Sequence, residues 1–262
     1  MTNPTELETQ IELKTLRVRR QGPVLAIELN TPDQGNAVTD TMLEDLQSVL
    51  DRQEPHIQVV VLTGAGGDFC LGGDRSEYAA HLSRDPSGSG VRASGHRARR
   101  VCDSLTGNPA VTIARIHGKA IGAGVALALA CDLRVSTDTA TFRLPELALG
   151  LPTAWGGLLS RFISEAGAAR ARELILTGRS FDAEEALSLS LLQRVVPPSE
   201  LDTAVETWIK PIIRRPATAL RITKAMLNSY AAASRLTDSS ALDPELMAAA
   251  VIETRRARRL PN

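Results

Sequence analysis

The sequence predicts an α/β fold that is followed by a mainly helical C-terminal region. Apolar runs rich in Val and Ile alternate with segments in which apolar residues recur every three or four positions, and this alternation is typical of sheets covered by helices. From Gly167 onward the chain changes character, and the predicted elements are mainly helices. The 262 residues, 43% of them hydrophobic and 23% charged, are enough for one large or two modest domains.

The first elements are two strands and a helix. Residues 11–19 and 23–29 are predicted as two strands that are joined by a turn at Gln21-Gly22. The second of them is rich in strand-forming residues. A helix is predicted over residues 40–52, where apolar side chains recur on one face, and either Asn36 or Thr39 can cap its N-terminus.

The strand-strand-helix order then recurs. Residues 59–64 form a continuous apolar run of the kind found in strands buried on both faces. Further elements are predicted as a helix after Asp74, a strand at 110–116, a helix at 122–130 and a strand at 133–136. Residues 81–96, which include Pro86-Ser87-Gly88-Ser89-Gly90, have loop composition and are predicted to form a mobile lid.

The C-terminal third is predicted to be helical. Its helices are expected at 168–176, 183–188, 200–213 and 217–233. We therefore divide the chain into a flexible polar tail at 1–10, an α/β core at 11–195 and a helical region at 196–262.

Composition excludes several functional classes. The net charge is zero, so the chain lacks the electrostatic signature of a partner for nucleic acid or an anionic membrane. Its longest apolar run, at 120–130, is too short to cross a bilayer, and residues 1–10 lack a signal-peptide pattern. Cys70, Cys102 and Cys131 are predicted to be buried, reduced thiols, as in a cytoplasmic protein. No metal-ligand spacing is present among the histidines.

Two glycine-rich turns, at 69–74 and 117–124, each follow a strand-like run and precede a helix-like one. Such turns can present unpaired backbone N–H groups to one carbonyl oxygen, which is the design of an oxyanion hole. Simple tight packing remains an alternative. A dinucleotide fingerprint would need a small residue where Leu127 stands, and a phosphate-binding P-loop would need Ser or Thr where Ala120 follows Lys119.

Glu146 is the candidate proton carrier. It lies among leucines, so burial should raise its pKa toward the range that is useful for proton transfer. The alternative is an acidic residue in a first helical turn after Pro145. A carboxylate near two backbone donors suits chemistry through an enolate.

Seven blocks of residues resemble the crotonase (enoyl-CoA hydratase/isomerase) family in order and spacing. They lie at 32–38, 59–64, 69–74, 117–124, 130–133, 145–151 and 176–197, within a resemblance that covers roughly 11–230. The resemblance implies a core of repeated ββα units with a helical C-terminal trimerisation region, assembled as a homotrimer or hexamer. It also implies an acyl-CoA thioester as substrate, coenzyme A being part of that substrate and no other cofactor being needed.

The resemblance assigns roles to individual residues. The backbone N–H groups of Gly73 and Ala123 match the oxyanion-hole pair, and Glu146 matches the catalytic glutamate. Substrate contacts are implied for Ala37, Leu71, Gly72, Asp74, Gly122 and Trp155. Two of these have structural alternatives, because Asp74 can cap the following helix with Glu77 as partner, and Trp155 can be a packed aromatic.

One departure from the family limits the assignment. Hydratases of the family carry a second glutamate where this chain has Ala126. Moving a double bond needs only one base, so the single glutamate favours isomerisation over hydration, unless Glu77 or Asp85 replaces the missing carboxylate. The family's dehalogenase tryptophan and aspartate are also absent, since Glu146 and Ala154 stand in their places.

Other functions stay open at this point. They are decarboxylation, thioester hydrolysis, work on a carrier-bound acyl chain, and acyl-CoA binding without catalysis. Arginines that could bind coenzyme A phosphates stand at Arg75, Arg97, Arg99, Arg100, Arg255, Arg256, Arg258 and Arg259, although such clusters can equally be solvated helix faces.

Overall fold

A seven-stranded sheet forms the centre of the computed structural model, which describes residues 9–52, 54–233 and 239–257. The strands are β1 (Thr9–Glu12), β2 (Leu16–Gln21), β3 (Val24–Leu29), β4 (Val59–Gly64), β5 (Val111–Ile116), β6 (Lys119–Ile121), β7 (Leu133–Thr137), β8 (Thr141–Arg143), β9 (Ser180–Asp182) and β10 (Arg194–Val196). The central sheet has the order β1-β2-β3-β4-β5-β7-β10, and β6-β8-β9 form a second, smaller sheet.

The helices include the predicted ones and three further ones. They are α1 (Asp40–Asp51), α2 (Arg75–Arg84), α3 (Ser89–Thr106), α4 (Ala123–Leu129), α5 (Leu158–Ala166), α6 (Ala168–Thr177), α7 (Ala183–Ser188), α8 (Leu201–Ile212), α9 (Ala217–Ala233) and α10 (Asp243–Ala257). α3 and α5 were not predicted, and α10 was expected only as part of the helical region at 196–262. Within the described ranges, no helix is both long and apolar enough to cross a bilayer.

The central sheet changes from antiparallel to parallel pairing at β3. β1, β2 and β3 pair antiparallel, whereas β3, β4, β5, β7 and β10 pair parallel in turn. Parallel strands need crossover connections, and these place helices over the sheet. This arrangement confirms the predicted α/β class.

Both faces of the central strands are covered, which explains the continuous apolar run in β4. Val60 and Leu62 belong to the larger apolar core. Val59 and Val61 point the opposite way, into a second cluster that packs against Leu201 and neighbouring residues of α8. A strand buried on both faces needs apolar residues at successive positions, because side chains alternate between faces.

Two elements near the N-terminus differ from the prediction. The single strand expected over 11–19 is two strands, because the chain turns between β1 and β2 and the two pair with each other. The last two residues of the expected flexible tail belong to β1, where Thr9 pairs with Arg20 and Gln10 with Arg19. The rest of that tail, 1–8, lies outside the described residues.

The predicted mobile loop at 81–96 is wrong. α2 continues to Arg84 and α3 begins at Ser89, so the connection is short. The Asp85 carboxylate accepts hydrogen bonds from the backbone N–H and the hydroxyl of Ser87, and Gly88 adopts φ +80° just before α3. The serines and glycines that look like loop composition therefore make a tight turn and the first turn of a helix.

The helical C-terminal region is present. β10 runs to Val196, so the central sheet extends one residue past the expected core boundary at 195. α10 packs against α3 and lies next to the cavity described below.

Candidate active site

The first glycine-rich turn is held in place by the segment before α1. Val38 N–H donates to Gly72 O at 2.8 Å, and Asp74 N–H donates to Val38 O at 2.9 Å. The side chain of Asn36, fully buried, donates to the carbonyls of Ala65 and Asp68, both at 2.9 Å. These bonds fix the loop that follows β4 and explain why Asn36 is not the cap of α1; Thr39 is.

The second glycine-rich turn, which contains β6 and leads into α4, packs directly on the first. Cys70 N–H donates to Lys119 O at 3.1 Å, and Ile121 N–H donates to Cys70 O at 2.9 Å. A Cβ on Gly124 would lie only 2.5 Å from Cys70 O, so this position must be glycine for the two turns to approach so closely.

Two backbone donors are left unused by this pairing. Gly73 and Ala123 each contribute one N–H group, and within the described ranges neither N–H has a hydrogen-bond acceptor. Ala123 is the first residue of α4, where an N–H group has no partner inside the helix and the helix dipole favours negative charge. Both groups can therefore donate to an anionic oxygen.

Glu146 begins a 3₁₀ turn, Glu146–Leu149, directly after Pro145. Its side chain is buried, with 9% of the residue exposed, and its Oε2 atom has no hydrogen-bond partner in the described structure. Burial raises the pKa of this carboxyl to about 7, against a smaller opposing effect of a backbone hydrogen bond. A carboxyl with this pKa can both accept and return a proton near neutral pH.

The turns and the carboxyl line one cavity of about 260 Å³. Seven of the nine predicted site residues are in its wall: Leu71, Gly72, Gly73, Gly122, Ala123, Glu146 and Trp155. The remaining wall residues are Arg75, Tyr78, Ile121, Arg143, Pro145, Leu149, Leu151 and Met247. We call this space the active-site cavity.

Two predicted substrate contacts, Ala37 and Asp74, lie outside that wall. Ala37 directly precedes Val38, which pairs with Gly73 of the first turn. The Asp74 carboxylate accepts from Ser76 N–H at 2.8 Å and caps α2. Glu77 is not its capping partner, because the Glu77 carboxylate accepts from Asp40 N–H at 2.8 Å.

The carboxylates proposed to replace the missing second glutamate are engaged elsewhere. Glu77 is bonded to the start of α1, and Asp85 to the serines of the α2–α3 turn. Neither lines the active-site cavity. Ala126 is fully buried within α4. Glu146 is thus the one carboxyl among the cavity-lining residues of the described structure.

Tyr78 is a wall residue that the sequence patterns did not indicate. Burial raises the pKa of its phenol to about 12, and a hydrogen bond with Trp155 acts in the opposite direction. A Cβ on Gly73 would lie 3.5 Å from the Tyr78 hydroxyl, so this hydroxyl stands beside one of the two unused donors. Tyr78 is the fourth residue of α2, and this closeness in sequence to the first turn is a signal that could have revealed it.

Cys70 supports the turns and is not placed for nucleophilic chemistry. Burial raises the pKa of its thiol to about 12, so the thiol stays protonated near neutral pH. All three cysteines are buried and unbridged.

The sequence of the chain is similar to those of known proteins. The family model described as enoyl-CoA hydratase/isomerase matches residues 19–258. A short-chain-enoyl-CoA hydratase of Clostridium acetobutylicum is 31% identical, over 83% of this chain and 82% of that protein. A peroxisomal Delta(3,5)-Delta(2,4)-dienoyl-CoA isomerase of Arabidopsis thaliana is 33% identical, over 84% and 83%.

A solved structure shares both the fold and part of the sequence. A putative enoyl-CoA hydratase of Thermobifida fusca, crystallised in complex with acetoacetyl-CoA, superposes with a TM-score of 0.78. It is 30% identical, and the match covers 94% of this chain and 96% of that one.

Proposed function

The chain belongs to the enoyl-CoA hydratase/isomerase family and is an enzyme that acts on acyl-CoA; from this premise we propose that it moves a double bond along an enoyl-CoA thioester, with Glu146 as the proton carrier. The observation that carries the proposal is the unpartnered Oε2 atom of Glu146, buried in the same cavity as two unused backbone N–H groups.

The backbone donors of Gly73 and Ala123 act on the thioester oxygen. This oxygen gains negative charge as an enolate forms, so donors fixed in advance stabilise the transition state more than the ground state. One such donor typically contributes about 2.7–4 kcal/mol. Neither donor competes for another acceptor in the described structure, so no bond has to break first.

Glu146 carries the proton in both directions. As a carboxylate it removes a proton from C2 of a 3-enoyl-CoA, and the electron pair of that C–H bond delocalises into a dienolate. The carboxylic acid that results returns the proton to C4, which moves the double bond from C3–C4 to C2–C3. No atom is gained or lost, and the carboxylate is regenerated.

The count of carboxyl groups favours this reaction over hydration. Hydration needs one group to polarise water and another to deliver a proton to the α-carbon, whereas Glu146 is the one carboxyl found among the described wall residues. Hydration remains the second candidate because of the 31% identity with the Clostridium hydratase.

Separate incubations with a 2-enoyl-CoA and a 3-enoyl-CoA test the proposal. We expect the 3-enoyl-CoA to be converted to its 2-isomer and the 2-enoyl-CoA to give little 3-hydroxyacyl-CoA. The Glu146→Gln variant should lose at least a thousandfold in kcat while its dissociation constant for acyl-CoA stays within about threefold of the wild type. Full activity in that variant would contradict the role of Glu146, and rapid formation of 3-hydroxyacyl-CoA by the wild type would favour hydration.

Assembly as a homotrimer or hexamer is part of the same proposal. α9 leaves large apolar side chains exposed, namely Ile222, Met226, Leu227 and Tyr230. Such a face is typical of a surface covered by another subunit. Light scattering on the purified protein measures its mass, and a monomer would contradict the assembly.

A further inference from the structure

A second cavity, of about 410 Å³, adjoins the active-site cavity and extends between α2 and α10. We call it the distal cavity. The two cavities share four wall residues: Arg75, Tyr78, Leu149 and Leu151. The rest of the distal wall consists of Ala79, Leu82, Ser83, Val251, Thr254 and Arg255. The two cavities are therefore direct neighbours.

The distal cavity combines an apolar wall with positive charge. Leu82, Leu149, Leu151 and Val251 suit methylene groups. The charged residues among the described lining are both arginines, Arg75 and Arg255, and no carboxylate is found with them. A purely hydrocarbon tail would offer these two guanidinium groups no hydrogen-bond acceptor.

Arg255 is half-buried, and one nitrogen of its guanidinium lacks a hydrogen-bond partner among the described residues. Its Nη1 atom is buried and has no hydrogen-bond acceptor in the described part of the chain. Its Nη2 atom is 3.5 Å from the Ser83 hydroxyl, a long contact. Its neighbour Arg256, by contrast, lies 3.9 Å from Glu253 in an exposed pair. A buried donor without an acceptor is costly, so an acceptor supplied by a ligand would be favourable.

We propose that the distal cavity receives an acyl group that ends in a carboxylate, and that Arg255 binds this carboxylate. The guanidinium can hold a carboxylate with two parallel hydrogen bonds. The substrate would then be a monothioester of a dicarboxylic acid, with methylene groups against the leucines and its free carboxylate at Arg255. This inference rests on the proposed acyl-CoA function and adds the chemical class of the acyl group.

A phosphate of coenzyme A offers the same anionic chemistry, and binding measurements distinguish the two sources. Isothermal titration calorimetry would compare adipyl-CoA with hexanoyl-CoA, and suberyl-CoA with octanoyl-CoA. Within each pair the coenzyme and the carbon number are identical, and only the terminal carboxylate differs. These saturated thioesters need no turnover, so the result does not depend on whether the enzyme isomerises or hydrates.

We expect the wild type to bind the dicarboxylic member of at least one pair tenfold or more tightly than its partner. Arg255→Met keeps the length and apolar stem of the side chain, and it should abolish this preference while leaving the affinity for hexanoyl-CoA within about twofold. Arg255→Lys keeps the positive charge but lacks the paired N–H donors of the guanidinium group, so it should retain part of the preference. Arg256→Met is the matched control on the same helix and should behave as the wild type.

Two outcomes would overturn the proposal. Equal affinities for both members of each pair in the wild type would exclude a carboxylate site, whatever the variants do. An equal loss of affinity for hexanoyl-CoA, adipyl-CoA and free coenzyme A in Arg255→Met would assign the arginine to a phosphate instead.

Discussion

Gly122 makes room for the carboxyl of Glu146. A Cβ atom on Gly122 would lie 2.9 Å from Oε1 of Glu146, closer than nonbonded atoms tolerate. Gly122 also has φ +51° and ψ −110°, a backbone conformation that residues with a side chain rarely adopt. The turn that presents Ala123 to the cavity therefore also leaves room for the Glu146 carboxyl beside Gly122.

Gly122→Ala is expected to lower kcat at least tenfold, because the added methyl group must displace either Glu146 or the turn. Steady-state kinetics measure this effect, and thermal denaturation measures the accompanying strain. Gly178→Ala is the control: Gly178 also has positive φ, +61°, but a Cβ there would lie 3.6 Å from its nearest neighbour, Leu144 O. The control should lose about 1 kcal/mol of stability and keep its kcat. Equal kinetic losses in both variants would show that strain alone is responsible.

The raised pKa of Glu146 predicts that stability and activity change in opposite directions with pH. Burial raises this pKa from 4.5 to about 7, so between these values the folded state binds more protons than the unfolded state. The free energy of unfolding should therefore fall as pH rises from about 4.5 through 7, by up to about 3 kcal/mol. In the same range kcat/KM should rise, because the carboxylate is the base.

Glu146→Gln removes this titration, so the variant should be more stable than the wild type at pH 8 and similar to it near pH 4.5. Urea unfolding at the two pH values measures the difference. A stability difference between the two proteins that is the same at both pH values would contradict a perturbed carboxyl at this position.

The sequence predicted those strands and helices in which the spacing of apolar residues shows by itself which faces are buried. Val59 to Leu62 indicated a doubly covered strand, and the apolar spacing around Met42 and Leu46 indicated α1, because each pattern reflects which faces are buried. The loop expected over 81–96 was wrong because serines and glycines also occur where a helix begins after a tight turn. Whether Ser89 starts a helix is decided by the contacts of α3 with α1, α2 and α10, which are distant in sequence.

Some residues of the candidate site could likewise be predicted from the sequence, and others could not. Gly73, Ala123 and Glu146 lie in recognisable motifs, so their meeting in one cavity could be anticipated from the family resemblance. Met247 reaches the wall through tertiary packing and no local pattern marks it, whereas Leu149 lies in the same motif as Glu146 and Tyr78 follows the first turn closely. Ala37 also lies in a recognisable motif, next to a residue that pairs with the first turn, but it is not among the residues that line the cavity.

Ala123→Pro tests the oxyanion donor without changing any polar side chain. Proline lacks the backbone N–H and is tolerated at the first residue of a helix, which is where Ala123 stands. The loss of one donor should lower kcat/KM by about 10²–10³, with little effect on the helix content measured by circular dichroism. The decrease should appear mainly in kcat, since the donor is strongest when the oxygen carries negative charge.

Ala168→Pro provides the matched comparison, because Ala168 is likewise the first residue of a helix that follows a glycine, and it is exposed. It does not line the active-site cavity, so its substitution should leave kcat/KM within about twofold. If both proline variants lost activity equally, the effect would belong to helix starts in general. If Ala123→Pro alone kept full activity, the N–H of Ala123 would not be an oxyanion donor, and the pairing of this turn with Glu146 would need another explanation.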